Sequence, residues 1–109
     1  MKRIKVLRWT VKMPDGKEEE DSTLAVLKAL INMTRVEEMP RGLDNFNLFR
    51  RLSVAFNKAE KTDSLVLEDN DYYLLKKVAD KNIPSVWALN EKISEALELF
   101  INAKDEEIN

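Results

Sequence analysis

The chain of 109 residues contains no histidine and no cysteine. The commonest general base, the commonest transition-metal ligand, the thiolate nucleophile and the disulfide are all missing with them. Only two glycines are present, Gly16 and Gly42. Neither glycine-rich phosphate loop can be built from them, which excludes P-loop and dinucleotide chemistry of the standard kind. The five serines have no histidine to activate them, and none stands in a Ser-x-x-Lys arrangement. No apolar run approaches the ~20 residues of a membrane span. The basic start, Met1-Lys2-Arg3-Ile4-Lys5, passes into alternation instead of an apolar stretch, so it does not read as a signal peptide. These absences lead us to expect a non-enzymatic cytoplasmic protein without a cofactor, a metal or a membrane partner. A cysteine-free chain also suits a reducing compartment.

What is present is ordinary for a folded domain: 44% hydrophobic and 35% charged residues with a net charge of −2. That is too apolar for disorder and too near neutrality for a general attraction to nucleic acid. The length fits a single domain over residues 1–109, with 104–109 as a frayed acidic tail.

Residues 3–13 alternate. Leu7, Trp9, Val11 and Met13 share one face and Arg8, Thr10 and Lys12 the other, which predicts a half-buried strand. Ile4 and Val6 fall on the opposite face from Leu7, so either both faces are covered early or a bulge changes the register near Val6-Leu7. Pro14-Asp15-Gly16 is a tight turn, and the acidic arm from Lys17 to Asp21 would return as an exposed edge strand.

Four helices follow. The first is capped by Asp21, Ser22 or Thr23, runs to about Thr34, and carries Leu24, Leu27, Leu30 and Ile31 at helical spacing. The second is expected to start at Asp44, with Leu43 and Leu48 as a hydrophobic staple and Phe46, Phe49, Leu52, Ala55, Phe56 and Ala59 as its buried stripe. Thr62-Asp63-Ser64 ends it, and Leu65-Val66-Leu67 is a short strand. Acidic Glu68, Asp69 and Asp71 open the third helix, where the backbone dipole favours them. Asn82-Ile83-Pro84-Ser85 closes it. Ser85 or Asn90 caps the fourth, whose apolar face is Ile93, Ala96, Leu97, Phe100 and Ile101. Phe49, Phe56, Leu75, Leu97 and Phe100 sit at the centres of these stripes and should be buried. The expected fold class is α+β: a mostly helical single domain with an N-terminal β-hairpin packed on three to four helices.

Two surfaces could carry function. Val26, Met33, Leu74, Trp87 and Leu99 lie beside or outside the best core stripes. That surplus points to self-association or a protein partner. The alternative is a small nucleic-acid-binding regulator. Arg3, Lys5, Arg8 and Lys12 crowd one segment around Trp9, and Arg50, Arg51, Lys58 and Lys61 add a helical stripe. Two readings weigh against it. Strand geometry makes Trp9 a core residue, and a hairpin would lay Glu18-Glu19-Glu20-Asp21 beside the N-terminal cations.

The second half resembles small phage and prophage accessory proteins in the order of its parts. A short strand (Leu65-Val66-Leu67) is followed by an acidic cap (Glu68 to Asp71) and a helix from Tyr72 to Val78. Trp87 comes next, then an amphipathic helix from Ile93 to Ala103. The resemblance covers residues 65–103, implies a mobile-element origin with an accessory or assembly role, and transfers no site residues.

Overall fold

The computed structural model describes residues 1–105. The elements run β1 (Lys2–Lys5), β2 (Arg8–Lys12), β3 (Glu18–Ser22), α1 (Thr23–Asn32), α2 (Leu43–Thr62), β4 (Ser64–Leu67), α3 (Asp69–Asn82) and α4 (Glu91–Ile101). Short 3-10 turns at Val36–Glu38 and Ser85–Leu89 join α1 to α2 and α3 to α4. The class is α+β, with the hairpin β2–β3 packed on the helices.

The predicted strand over 3–13 is in fact two strands in two sheets. β1 pairs antiparallel with β4, Arg3 opposite Val66 and Lys5 opposite Ser64. β2 pairs antiparallel with β3, Arg8 opposite Ser22 and Lys12 opposite Glu18. The change falls at Val6-Leu7. The Val6 amide still donates to the Asp63 carbonyl at 3.0 Å, at the β4 end. One residue later the Leu7 amide donates to Thr23 Oγ1 at 2.9 Å, and its carbonyl accepts from the Thr23 amide at 3.0 Å. The side-chain phase changes there because the backbone changes partner: Ile4 and Val6 enter the core, while Trp9 and Val11 are half-buried beneath the exposed Arg8, Thr10 and Lys12.

The turn works as its residues require. The Gly16 amide reaches the Met13 carbonyl at 2.9 Å, Asp15 accepts from the Lys17 amide at 3.0 Å, and Gly16 holds φ +89°. Ser22 caps α1 through its side chain, 3.2 Å from the Ala25 amide. Asn90, not Ser85, caps α4, accepting from the amides of Lys92 and Ile93 at 3.0 and 3.1 Å.

The core joins Ile4, Val6, Leu24, Leu27, Leu30, Leu52, Phe56, Leu65, Leu67, Leu75, Leu97 and Phe100, so all four helices and the β1–β4 ribbon share it. Phe49, expected among the buried aromatics, is only half-buried. Two further expectations for α2 fail. Asp44 is not the N-cap: the helix starts at Leu43 after Gly42, which holds φ +97° and offers no side-chain cap. The staple does not form, because Leu43 is 72% exposed, and Phe46 is 60% exposed instead of buried. The physical reason is length. At 1.5 Å per residue the ten-residue α1 is about 15 Å long and the twenty-residue α2 about 30 Å. Every buried residue of α2 lies at or beyond Leu52. The first turns overhang.

Asp105 bridges to Lys2 beside β1 and takes its ammonium at 2.9 Å; residues 106–109 lie outside the described residues.

Candidate functional site

Two surfaces meet at α2. The first is a groove between α1 and α2. One part, about 280 Å³, is floored by Leu52 and Phe56 and edged by Lys28. The next part, about 580 Å³, is lined by Met39, Pro40, Arg41 and Phe46. Both include Ile31 and Phe49, so the groove is continuous. Among the described residues its lining carries no carboxylate. Phe46 lines the groove and Leu43 follows the lining Gly42, both exposed on the overhanging turns; Met33 at the end of α1 and Val36 in the connecting 3-10 turn are exposed as well.

Of the expected interface residues, Met33 and Leu99 are exposed, at 46% and 39%. Leu74 and Trp87 are half-buried and pack against the core. Val26 is a correction. It is 4% exposed and belongs to the core, because α1 is covered by both α3 and α4 and so buries more than one stripe. Leu43 and Phe46 were not legible as surface. Their positions are those of a staple and a buried stripe, and only the lengths of the neighbouring helices reveal that nothing covers them.

The second surface lies on the other side of α2, over the outer face of β4. It is a depression of about 570 Å³ with Arg50, Arg51 and Lys58 on one bank and Val54, Ala55 and Val66 beneath. Strand alternation puts Arg3 and Lys5 on the same face as their register partners Val66 and Ser64. Glu68 and Asp71 close one end. Arg51 grips Asp71 with two hydrogen bonds, Nη2 to Oδ1 at 3.0 Å and Nε to Oδ2 at 3.3 Å, and stands 3.7 Å from Glu68. The hydrogen bond it donates to Asp71 raises the already high pKa of the Arg51 guanidinium. Asp71 itself is 3% exposed, so this fork is the partner that makes its burial tolerable.

The four N-terminal cations singled out by the sequence therefore separate. Arg8 is consumed structurally: its Nε donates to Asp63 at 2.8 Å, Nη1 to Glu60 at 3.2 Å and Nη2 to the Glu60 carbonyl at 3.0 Å. It ties the hairpin to the end of α2, and the hydrogen bond with Asp63, then that with Glu60, raises its pKa. Lys12 faces Glu18 across the hairpin. Trp9 packs partly against the core, and its indole Nε1 is buried with no hydrogen-bond partner among the described residues; it is not presented as a stacking platform. Arg3 and Lys5 lie in the other sheet, away from the acidic arm.

The acidic clusters have separate duties. Glu18 to Asp21 form β3, Glu38 pairs with Lys81 at 2.9 Å, and Asp69 takes the chain's amino terminus at 3.3 Å. No family model, no curated protein and no solved structure matches this chain.

Proposed function

We propose that this chain is a non-enzymatic interaction protein that associates with copies of itself through the overhanging turns of α2. One observation carries the reading: Leu43 and Phe46 stand 72% and 60% exposed beside an apolar groove. Large apolar residues gathered at one place on a small domain are the ordinary mark of an interface. The same turns hold Arg41 and Asp44 on either side of Gly42-Leu43. A twofold contact that laid two such segments antiparallel would bring each guanidinium toward the partner's carboxylate and seat each Phe46 over the partner's groove. Twofold contacts are self-complementary in this way. The resemblance of residues 65–103 to phage and prophage accessory proteins supports an assembly role, and the cysteine-free composition supports a cytoplasmic setting.

Sedimentation velocity across a micromolar concentration series tests it. The wild type should move from monomer to dimer as concentration rises. The double variant Leu43→Glu, Phe46→Glu should stay monomeric with its thermal midpoint unchanged, because neither side chain contributes to the core. Phe46→Ala alone should weaken association by about 2 kcal/mol, as expected of an aromatic anchor. A wild type that remains monomeric throughout the series would overturn the reading.

A further inference from the structure

We propose that the depression between α2 and the outer face of the β1–β4 ribbon binds the phosphodiester backbone of nucleic acid. The acidic arm argued against such binding so long as residues 3–13 were one strand. The structure removes that objection for part of the segment. β3 pairs with β2 alone, so Glu18 to Asp21 face residues 9–12, while Lys5 lies in the other sheet opposite the uncharged Ser64.

The same folding step brings the helical cations to that face. Arg50 and Lys58 are eight residues apart on α2, about 12 Å along the helix axis. They flank Val54, and Lys5 stands on the same outward face of the ribbon as Val66, opposite Ser64 on β4. Arg51 is already neutralised by Asp71 and Glu68. Arg50, Lys58 and Lys5 form no ion pair with any described residue. Arg50 and Lys58 along one helix, with Lys5 on the ribbon and an uncharged valine and alanine floor beside them, suit a polymer that bears a charge at every repeat. A nucleic-acid strand carries one phosphate per ~3.4 Å, so the span from Arg50 to Lys58 matches three or four of them. No aromatic ring lines the depression, which offers contacts to the backbone and no platform for bases. The binding is therefore indifferent to sequence, and with about three contacts it is weak and salt-sensitive, its log–log salt slope near −3 on a duplex and nearer −2 on a single strand.

Fluorescence anisotropy with short labelled single-stranded and duplex DNA of scrambled sequence tests this on the whole chain. We expect micromolar binding at low salt, and the form bound more tightly identifies the natural geometry. Arg50→Ala with Lys58→Ala should flatten the salt slope by about two and weaken binding at least about tenfold at low salt. Both side chains are exposed, so the fold should survive, checked by circular dichroism. Lys5→Glu should weaken binding further. The charge-matched hairpin control, Lys12→Ala with Lys17→Ala, should bind like the wild type. Three results would overturn the proposal: no binding of either DNA at low salt, equal weakening by the hairpin control, or displacement of DNA by polyglutamate at equal charge, which would assign the face to acidic peptides. None of these outcomes depends on self-association, because the face is complete within one chain.

Discussion

Tyr72 and Tyr73 are neighbours with opposite roles. Tyr73 is 54% exposed, whereas Tyr72 is 2% exposed and its ring meets Phe100 edge to face at 5.2 Å. The Tyr72 hydroxyl lies 2.8 and 3.0 Å from the carbonyl oxygens of Phe100 and Ile101. Those carbonyls belong to the last turn of α4, where intrahelical donors run out. One side chain of α3 thus closes the end of α4, and burial raises its pKa. Tyr72→Phe should cost about 1–2 kcal/mol in urea unfolding with the slope unchanged, while Tyr73→Phe should cost nothing measurable. Charged pairs act at the same scale. The hydrogen bond from Lys81 holds the Glu38 carboxyl below its usual 4.5, and that from Lys2 holds Asp105 below 3.8. A carboxyl that is more acidic when folded binds fewer protons in the folded state. Its contribution is complete at neutral pH and is lost as pH falls through the lowered values. The thermal midpoint should therefore be level above about pH 5 and decline below about pH 4, and Lys81→Met should make the decline shallower. The effect should be small, because the carboxylates of both pairs are solvent-exposed.

Among the elements, the start of α2 is the most instructive. Gly42 holds φ +97° with nothing within 4 Å of where a Cβ would stand. Any cost of Gly42→Ala is therefore conformational, with no contact to other groups, and should be about 1–3 kcal/mol by thermal or urea unfolding, because φ +97° with ψ 167° is a region that essentially only glycine adopts. Asp44 misled the sequence reading because an Asp before an apolar stripe is a good cap in isolation; a glycine able to take a left-handed conformation two residues earlier started the helix sooner. Local signals were otherwise legible. Ser22, Asn90, the Pro14-Asp15-Gly16 turn and the Thr62-Asp63-Ser64 stop all act where they stand, since caps and breakers act over three or four residues. Helical periodicity identified Phe56, Leu75, Leu97 and Phe100 as core. It could not foresee that Phe46 and Leu43 are uncovered, because spacing defines a face and says nothing of what lies against it. Nor could it foresee β1 on β4, since that pairing depends on strands about 60 residues apart. The apolar surface was illegible because it rests on an overhang. The cations Lys5, Arg50 and Lys58 of the other were named from the sequence, but their meeting on one face rests on a long-range pairing.

The whole molecule is flat, 43 × 37 × 22 Å, and α2 is exposed on two sides of it. Successive residues in a helix are about 100° apart. Phe46 and Phe49 face the apolar groove, and Asn47 and Arg50, each one residue on, face the cationic depression. The two occupants proposed here would approach nearly at right angles and need not compete. Leu52, Phe56 and Ala59 hold the helix to the core from the remaining side, so neither surface is needed to keep it in place.

The pairing of β1 with β4 also sets an order of events in time. β1 leaves the ribosome well before its partner strand, with about 60 residues between them. At ordinary synthesis rates that is a wait of roughly 3–12 s. During that interval the β2–β3 hairpin and α1 have everything they need for local pairing, whereas Ile4 has no strand to lie against. The first element of the chain is among the last to dock, and the cationic face it completes exists only once residue 67 has emerged.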